Sequence, residues 1–433
     1  MQRQEILSVK KESGIGLGIL IVTLAAVFYC YEYLLRVAPS VMNAELMQHY
    51  QINDFQLGSL TAYYYYIDAP MQLPVGLLVD RYGPKRLMIG ACLSCAVGAY
   101  LFVCSDILLV AKLGRFLVGL GSAFAFVGVL KLATMYLPKN HFAVVSGTTM
   151  ALGQLGAMMG DVLLTVMISY DGWQQASIHA AMFGLLLTFA LAVTFRFSNK
   201  FVSEEHGIAA DAPSTSEVIK SFCELTRNRE LWKTSLMGCL LWVPIVVFAE
   251  YLGIDYLKSA YGMSSEQAAM ANAMIFIGMA SGGPLVTSLS NTLQSRLLPI
   301  KVGSVISTVC MSLVLYFTNM PVVLLFLCLY LTGLSTSTQV IVFPMAEEIA
   351  TKKSAGTAMA LTNMMVMISG IIFQPLTGYL LNITDSNALS HSASDFQFAF
   401  SYIPFAIILT LAVALLTQET YRTQSDEESA DLS

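Results

Sequence analysis

"LGSLTAYYYYIDAPMQLPVGLLVDRYGPKR", Leu57 to Arg86, runs from an apolar stretch into a charged turn. Its apolar part is long enough for a bilayer-spanning helix, which needs about 20 mostly apolar residues. Yet it holds a carboxylate, Asp68. Thr61, Tyr65, Asp68 and Gln72 step by 4, 3 and 4, so on a helix they form one polar stripe. A charge at hydrocarbon depth costs about 3 kcal/mol on insertion scales and turns to a polar interior rather than to lipid. The stretch therefore predicts a membrane helix with one face against other helices. Pro70 and Pro74 loosen its backbone just below Asp68.

The rest of the chain reads the same way. Of 433 residues, 56% are hydrophobic and only 12% are charged, with a mean hydropathy of +0.66. A soluble domain carries about 25% charged residues. Apolar segments at about 15–39, 55–79, 87–104, 107–136, 142–168, 174–197, 234–257, 265–289, 297–317, 321–346, 354–382 and 397–417 predict an all-α membrane protein of twelve spans. Lys and Arg set the orientation. With the N-terminus in the cytoplasm, 18 of the 23 fall on that side: three ahead of the first span, Arg81, Lys85 and Arg86 after the second, Lys139, six from Arg196 to Lys233, and Arg296, Lys301, Lys352, Lys353 and Arg422. Both termini are expected inside. The first apolar segment follows "MQRQEILSVKKESG", which has no cleavage site, and is expected to be retained.

The one sizeable polar interruption, 198–231, combines a linker-like stretch with "VIKSFCELTRNRELW", an amphipathic surface helix. It divides the chain into six-helix bundles at 1–197 and 232–417, with an acidic tail at 418–433. "SGTTMAL" (146–152) and "AGTAMAL" (355–361) echo each other at the start of the fifth and eleventh spans, as a duplicated architecture requires. The eight cysteines lie mostly in apolar segments. Cys92 and Cys95 have CxxC spacing but no second pair, so they read as small packing residues and no metal or cofactor is expected. The absence of a basic patch outside short loops argues against nucleic acid. No HExxH or GxSxG constellation is present, which argues against an enzyme.

The turn "GLLVDRYGPKRL", Gly76 to Leu87, resembles the major facilitator superfamily motif G-x-L-x-D-R-x-G-R-K. Gly76, Leu78, Asp80, Arg81, Gly83 and Lys85 match. Pro84 departs at one basic position, and Arg86 keeps a second charge. "GRFLVGLGSA" is similar to the R-x-x-x-G-x-G-A pattern of the fourth span through Arg115, Gly119 and Gly121. Spans 1 to 5 resemble a bacterial branch near the phagosomal nutrient transporters and, more distantly, the lysosomal dipeptide carriers. The resemblance implies twelve helices in two pseudo-symmetric bundles and uptake of small organic nutrients through the inner membrane. In physical terms, Gly76 allows close backbone approach. Asp80 caps another helix or pairs with Arg81 as a cytoplasmic latch. "GGPLVTSLSNTLQSR" in the second half keeps Gly282, Gly283 and Arg296 but has no aspartate, so the latch is expected to be asymmetric. The fifth span lacks a central Gly-Pro pair, which argues against the family's antiporter type, while Gly156-x-x-x-Gly160 favours tight packing.

Intramembrane polar groups form the expected site. Glu32 and Arg36 share one face of the first span, flanked by Tyr29 and Tyr33. Tyr65, Asp68 and Gln72 follow on the second. Arg115 and Asp161 fall at similar depth in the fourth and fifth, where a buried pair is expected. Lys131 either reaches the inner surface or serves as a counter-ion. Gln154, Glu250, Gln339, Asn363 and Gln374 complete the set, and His179 reads as a bystander. Both charge signs in one cavity match the carboxylate and ammonium of an amino acid or short peptide. Glu32, Asp68 or Glu250 is expected to carry a coupled proton. Drug or siderophore efflux is the competing expectation. A monomer suffices, with a small molecule, a proton and the bilayer as partners.

Overall fold

The computed structural model describes residues 2–138, 141–198, 215–351, 353–384 and 391–421, and every element among them is helical. In the first half of the chain these are α1 (Gln2–Val37), α2 (Asn43–Tyr50), α3 (Asp54–Met71), α4 (Pro74–Tyr82), α5 (Pro84–Leu101), α6 (Leu108–Tyr136) and α7 (Phe142–Ser198). The second half has α8 (Thr215–Leu225), α9 (Arg229–Val243), α10 (Gly253–Tyr261), α11 (Ser265–Thr292), α12 (Leu297–Tyr316), α13 (Val322–Thr336), α14 (Val342–Ile349), α15 (Ala355–Thr384), α16 (Ala393–Phe400) and α17 (Tyr402–Leu416). A π-helical segment, Pro244–Leu252, joins α9 to α10, and a 3₁₀ turn, Ser337–Ile341, joins α13 to α14.

Among the described residues, nine helical runs are long and apolar enough to cross a membrane. The longest, Val144–Ser198, has a break at Gly172 (φ 80°, ψ 160°), where the fifth and sixth spans were expected to meet. The stretch from Asp54 to Leu101 is not among the nine. Two prolines and the polar stripe interrupt α3 and α4, and Gly83 (φ 79°) separates α4 from α5 in a conformation that favours glycine.

α7 packs along α1 and α11, and α15 along α9 and α3. Exchanging the halves of the chain maps one trio onto the other, and α7 and α15 carry the echoed heptapeptides. Gly156 and Gly160 bring α7 against α1. The Cβ that Gly156 lacks would overlap the Cys30 carbonyl, and that of Gly160 would sit 3.0 Å from the Leu34 carbonyl. Gly76 differs from expectation: open space surrounds it, so no backbone approaches there. The expected surface helix is shorter, because Asn228 accepts from the Glu230 and Leu231 amides and starts α9. Most of the linker and the acidic tail beyond Tyr421 lie outside the described residues.

Both ends of the helical array can be followed by their contacts. At the near face, Lys233 donates to the Leu416 carbonyl, and Leu73, Leu225, Leu231 and Ala346 share one apolar cluster. The opposite, far face holds α2, the start of α3 and the start of α11.

Candidate functional site

α1, α3 and α6 meet at Glu32. Its carboxylate accepts from Ser122 (2.7 Å) and Tyr64 (3.3 Å) and makes a long ion pair with Arg36 (3.5 Å). Tyr64 and Ser122 also bond each other. Arg36 lies over the Tyr33 ring, 4.1 Å from its centroid, and donates to Ser122 at 3.3 Å. Glu32, Arg36, Asp68, Arg115, Asp161 and Glu250 are all buried. The Tyr29 hydroxyl donates to Tyr33 (3.3 Å), and their rings stand edge to face.

Arg115 does not meet Asp161. It donates to the Leu35 and Arg36 carbonyls at 2.8 and 3.2 Å, serving carbonyls that the end of α1 leaves open. Asp161 accepts from Ser40 (3.2 Å) and Asn272 (2.6 Å) instead. The two side chains expected to pair thus take different neighbours.

Across the halves, Tyr65 donates to Glu250 in the π-helical segment. A π-turn leaves carbonyls out of their usual register, and amides from elsewhere take them. Gln374 donates to Val246 (3.0 Å), Asn272 to Ala249 (2.8 Å) and Asn43 to Tyr251 (2.7 Å). On the near side of this seam Gln72 accepts from Asn363 at 2.8 Å and donates to Asp68 at 3.2 Å. Gln339 is buried on the 3₁₀ turn, and Gln154 is half-buried next to Gly153, which rests on the Tyr29 ring. The hydroxyls of Thr332, Ser335 and Thr336 bond back to their own helix.

Several buried atoms of this seam have no hydrogen-bond partner among the described residues. They are Arg36 Nε and Nη1, Asp68 Oδ2, Glu250 Oε1, Arg115 Nε, Gln154 Oε1 and Gln374 Oε1. Leaving buried polar atoms unpaired costs about 1–3 kcal/mol each. Both charge signs are thus left with bonding capacity around one seam, the arginines and Asp68 from the first half and Glu250 from the second.

At the far face the halves are tied. Asn43 donates to Asp255 (2.9 Å), Tyr251 to the Asp54 carbonyl (3.3 Å), and His391 lies 3.0 Å from Asp54. At the near face Asp80 pairs with Lys131 at 2.7 Å, not with Arg81 or a helix end, so Lys131 is a counter-ion. Arg81 and Arg86 are exposed, while Lys85 donates to Ser198. The second half carries an inverted counterpart: Arg296 in the turn pairs with Glu348 at 2.7 Å. His179 is exposed.

Sequence reasoning missed Tyr64, Ser122, Asn43, Asn272, Asp54 and His391. A lone amide in an apolar run was the available signal for Asn272.

The Major Facilitator Superfamily model matches residues 17–374. A probable sulfoacetate transporter, SauU, of Cupriavidus necator is 24% identical over 85% of this chain and 88% of its own length. A gentisate transporter of Corynebacterium glutamicum is 23% identical over 90% and 85%. The lysosomal dipeptide transporter MFSD1 of Bos taurus is 20% identical over 67% and 63%. Among solved structures, a bacterial homologue of the human lysosomal transporter Spinster, inward-facing and occupied, superposes with a TM-score of 0.73 at 14% identity, over 92% of this chain and 96% of that one. The chain belongs to the Major Facilitator Superfamily, and it is a multi-pass membrane transporter of a small molecule rather than an enzyme.

Proposed function

We propose that the protein is a proton-coupled importer of a small carboxylate-bearing organic solute, an amino acid or short peptide, working by alternating access in the inner membrane. The observation that carries this reading is the set of unpaired buried atoms shared by the two halves. Arg36 supplies guanidinium donors for a carboxylate, while Asp68 and Glu250 supply acceptors for an ammonium. A ligand spanning both halves favours whichever arrangement brings them together, which is what alternating access requires. Twelve spans follow if Gly172 divides the long helix and Asp54–Tyr82 and Pro84–Leu101 each cross the membrane. They form bundles at 1–197 and 232–417 joined by 198–231. The Lys and Arg bias makes the near face cytoplasmic. With the far face tied, the arrangement is closed to the outside. A monomer holds the whole site.

A second reading is an organic anion lacking an ammonium. The names of the sulfoacetate and gentisate transporters favour it, as does the pair of buried arginines. A thermal-shift screen of purified protein against amino acids, dipeptides, sulfonates and aromatic acids separates the two. Stabilisation by zwitterions and not by their deaminated analogues supports the first reading; the reverse supports the second.

A further inference from the structure

Asp161 lies outside the unpaired cluster and takes no cation among the described residues. Its two carboxylate oxygens accept from Ser40, on the turn after α1, and from Asn272, on α11. The first bond stays within the first half of the chain, and the second crosses to the other half. Asn272 spends its other N–H on the Ala249 carbonyl, one residue before Glu250. A single amide therefore ties the carboxylate of α7 to the π-segment that carries a site residue. The neighbouring ionisable groups are otherwise engaged. On α1, Glu32 and Arg36 face each other, and on α6 Arg115 serves the α1 carbonyls. Glu250, the ionisable neighbour on the π-segment, bonds Tyr65, and Asp255 on α10 takes Asn43 and Lys258. α5 meets the later part of α7, where Cys92 bonds the Gly184 carbonyl.

From this geometry we infer that Asp161 is a proton-binding site separate from the solute site, loaded from the far face when α7 and α11 part. The inference rests on the proposed proton coupling. The Asp161–Asn272 bond crosses between the halves, so opening the far face breaks it and wets the carboxylate. A proton from water then binds Oδ1. On closure the new O–H donates to the Ser40 hydroxyl oxygen, while Oδ2 still accepts from Asn272. The same partners serve both forms, so the neutral form closes without losing a bond. The anion must be sealed with no cation beside it, which is costly. Protonation at Asp161 therefore favours the far-closed state.

The test reads far-face closure without the solute. Nitroxides at Cys104, exposed on the first half, and at Glu266→Cys, exposed on the second, report the separation of the halves by pulsed electron resonance; Cys223→Ser removes the other exposed thiol. The parent protein is expected to shift towards the short distance as pH falls from 8 to 5. Asp161→Asn should hold the short distance throughout. Ser40→Ala removes the acceptor of the protonated carboxyl in the closed state, so closure should need more acid and its midpoint should fall by roughly one pH unit, and it tests the idea even if Asp161→Asn fails to fold. If the parent responds and Asp161→Asn responds equally, or Ser40→Ala leaves the midpoint unchanged, the assignment to Asp161 is wrong and proton coupling stands elsewhere. If the parent itself does not respond, both the assignment and the proton-coupled reading fail.

Discussion

Glu32 and Arg36 show what one residue's partners decide. Their i,i+4 spacing was legible from the sequence and persists as a long ion pair. Removing one partner of a buried pair strands the other charge, at about 3–5 kcal/mol. Glu32→Leu is therefore expected to lower the denaturation midpoint by that equivalent, and a change under about 1 kcal/mol would mean Arg36 is satisfied elsewhere. Arg115 was expected to pair with Asp161 and instead holds two carbonyls of α1. Hydropathy put the guanidinium within an apolar segment, but its partners depend on how the helices pack, which no local pattern encodes. Asp80 and Lys131 are both about one-third exposed, so their bond contributes little stability. Asp80→Asn should leave the melting temperature almost unchanged while reducing uptake of the best-binding solute. Recovery in the double exchange Asp80→Lys, Lys131→Asp would show that the pair, not the aspartate alone, is what matters.

At the scale of elements, the π-helical segment is the feature the sequence concealed. Pro244 begins it, and amides from α2, α11 and α15 reach its carbonyls. Those partners are distant in sequence and have no periodic signature. Gln374→Leu leaves the Val246 carbonyl without its donor and is expected to cost about 1–3 kcal/mol. Thermal denaturation checks it, and an unchanged midpoint would mean that the carbonyl finds another donor. The α3 stripe, by contrast, was legible because every member sits on one helix. Outside the spans, Glu419 is partly buried, which opposes ionisation, but Ser295 and the Arg296 and Leu297 amides hold its carboxyl below the usual Glu value. A depressed carboxyl stabilises above its unfolded value and loses that contribution as pH falls through the folded one. Docking of residues 417–421 on the start of α12 should therefore persist at neutral pH and loosen only as pH falls below the usual Glu value. Amide exchange at Arg296 and Leu297 would show it, and protection that ignores acidification would contradict it.

For the whole molecule, orientation and motion are linked through the two faces. The Lys and Arg bias was readable because it sums over many loops and tolerates boundary errors. Which contacts join the halves was not readable, because pairs such as Asn43–Tyr251 and Gln72–Asn363 link segments some 200 to 300 residues apart. The natural thiols check the orientation: an impermeant maleimide added to intact cells should reach Cys104 and spare Cys223, both exposed. Labelling of Cys223 alone would invert the topology.

The most direct measurement is uptake into proteoliposomes of the solute that stabilises the protein best, with and without an inward proton gradient, for the parent and for Arg36→Gln. The account predicts saturable, gradient-driven accumulation by the parent and loss of nearly all of it in a folded Arg36→Gln protein. Full accumulation by Arg36→Gln, or parent uptake indifferent to the gradient, would contradict it.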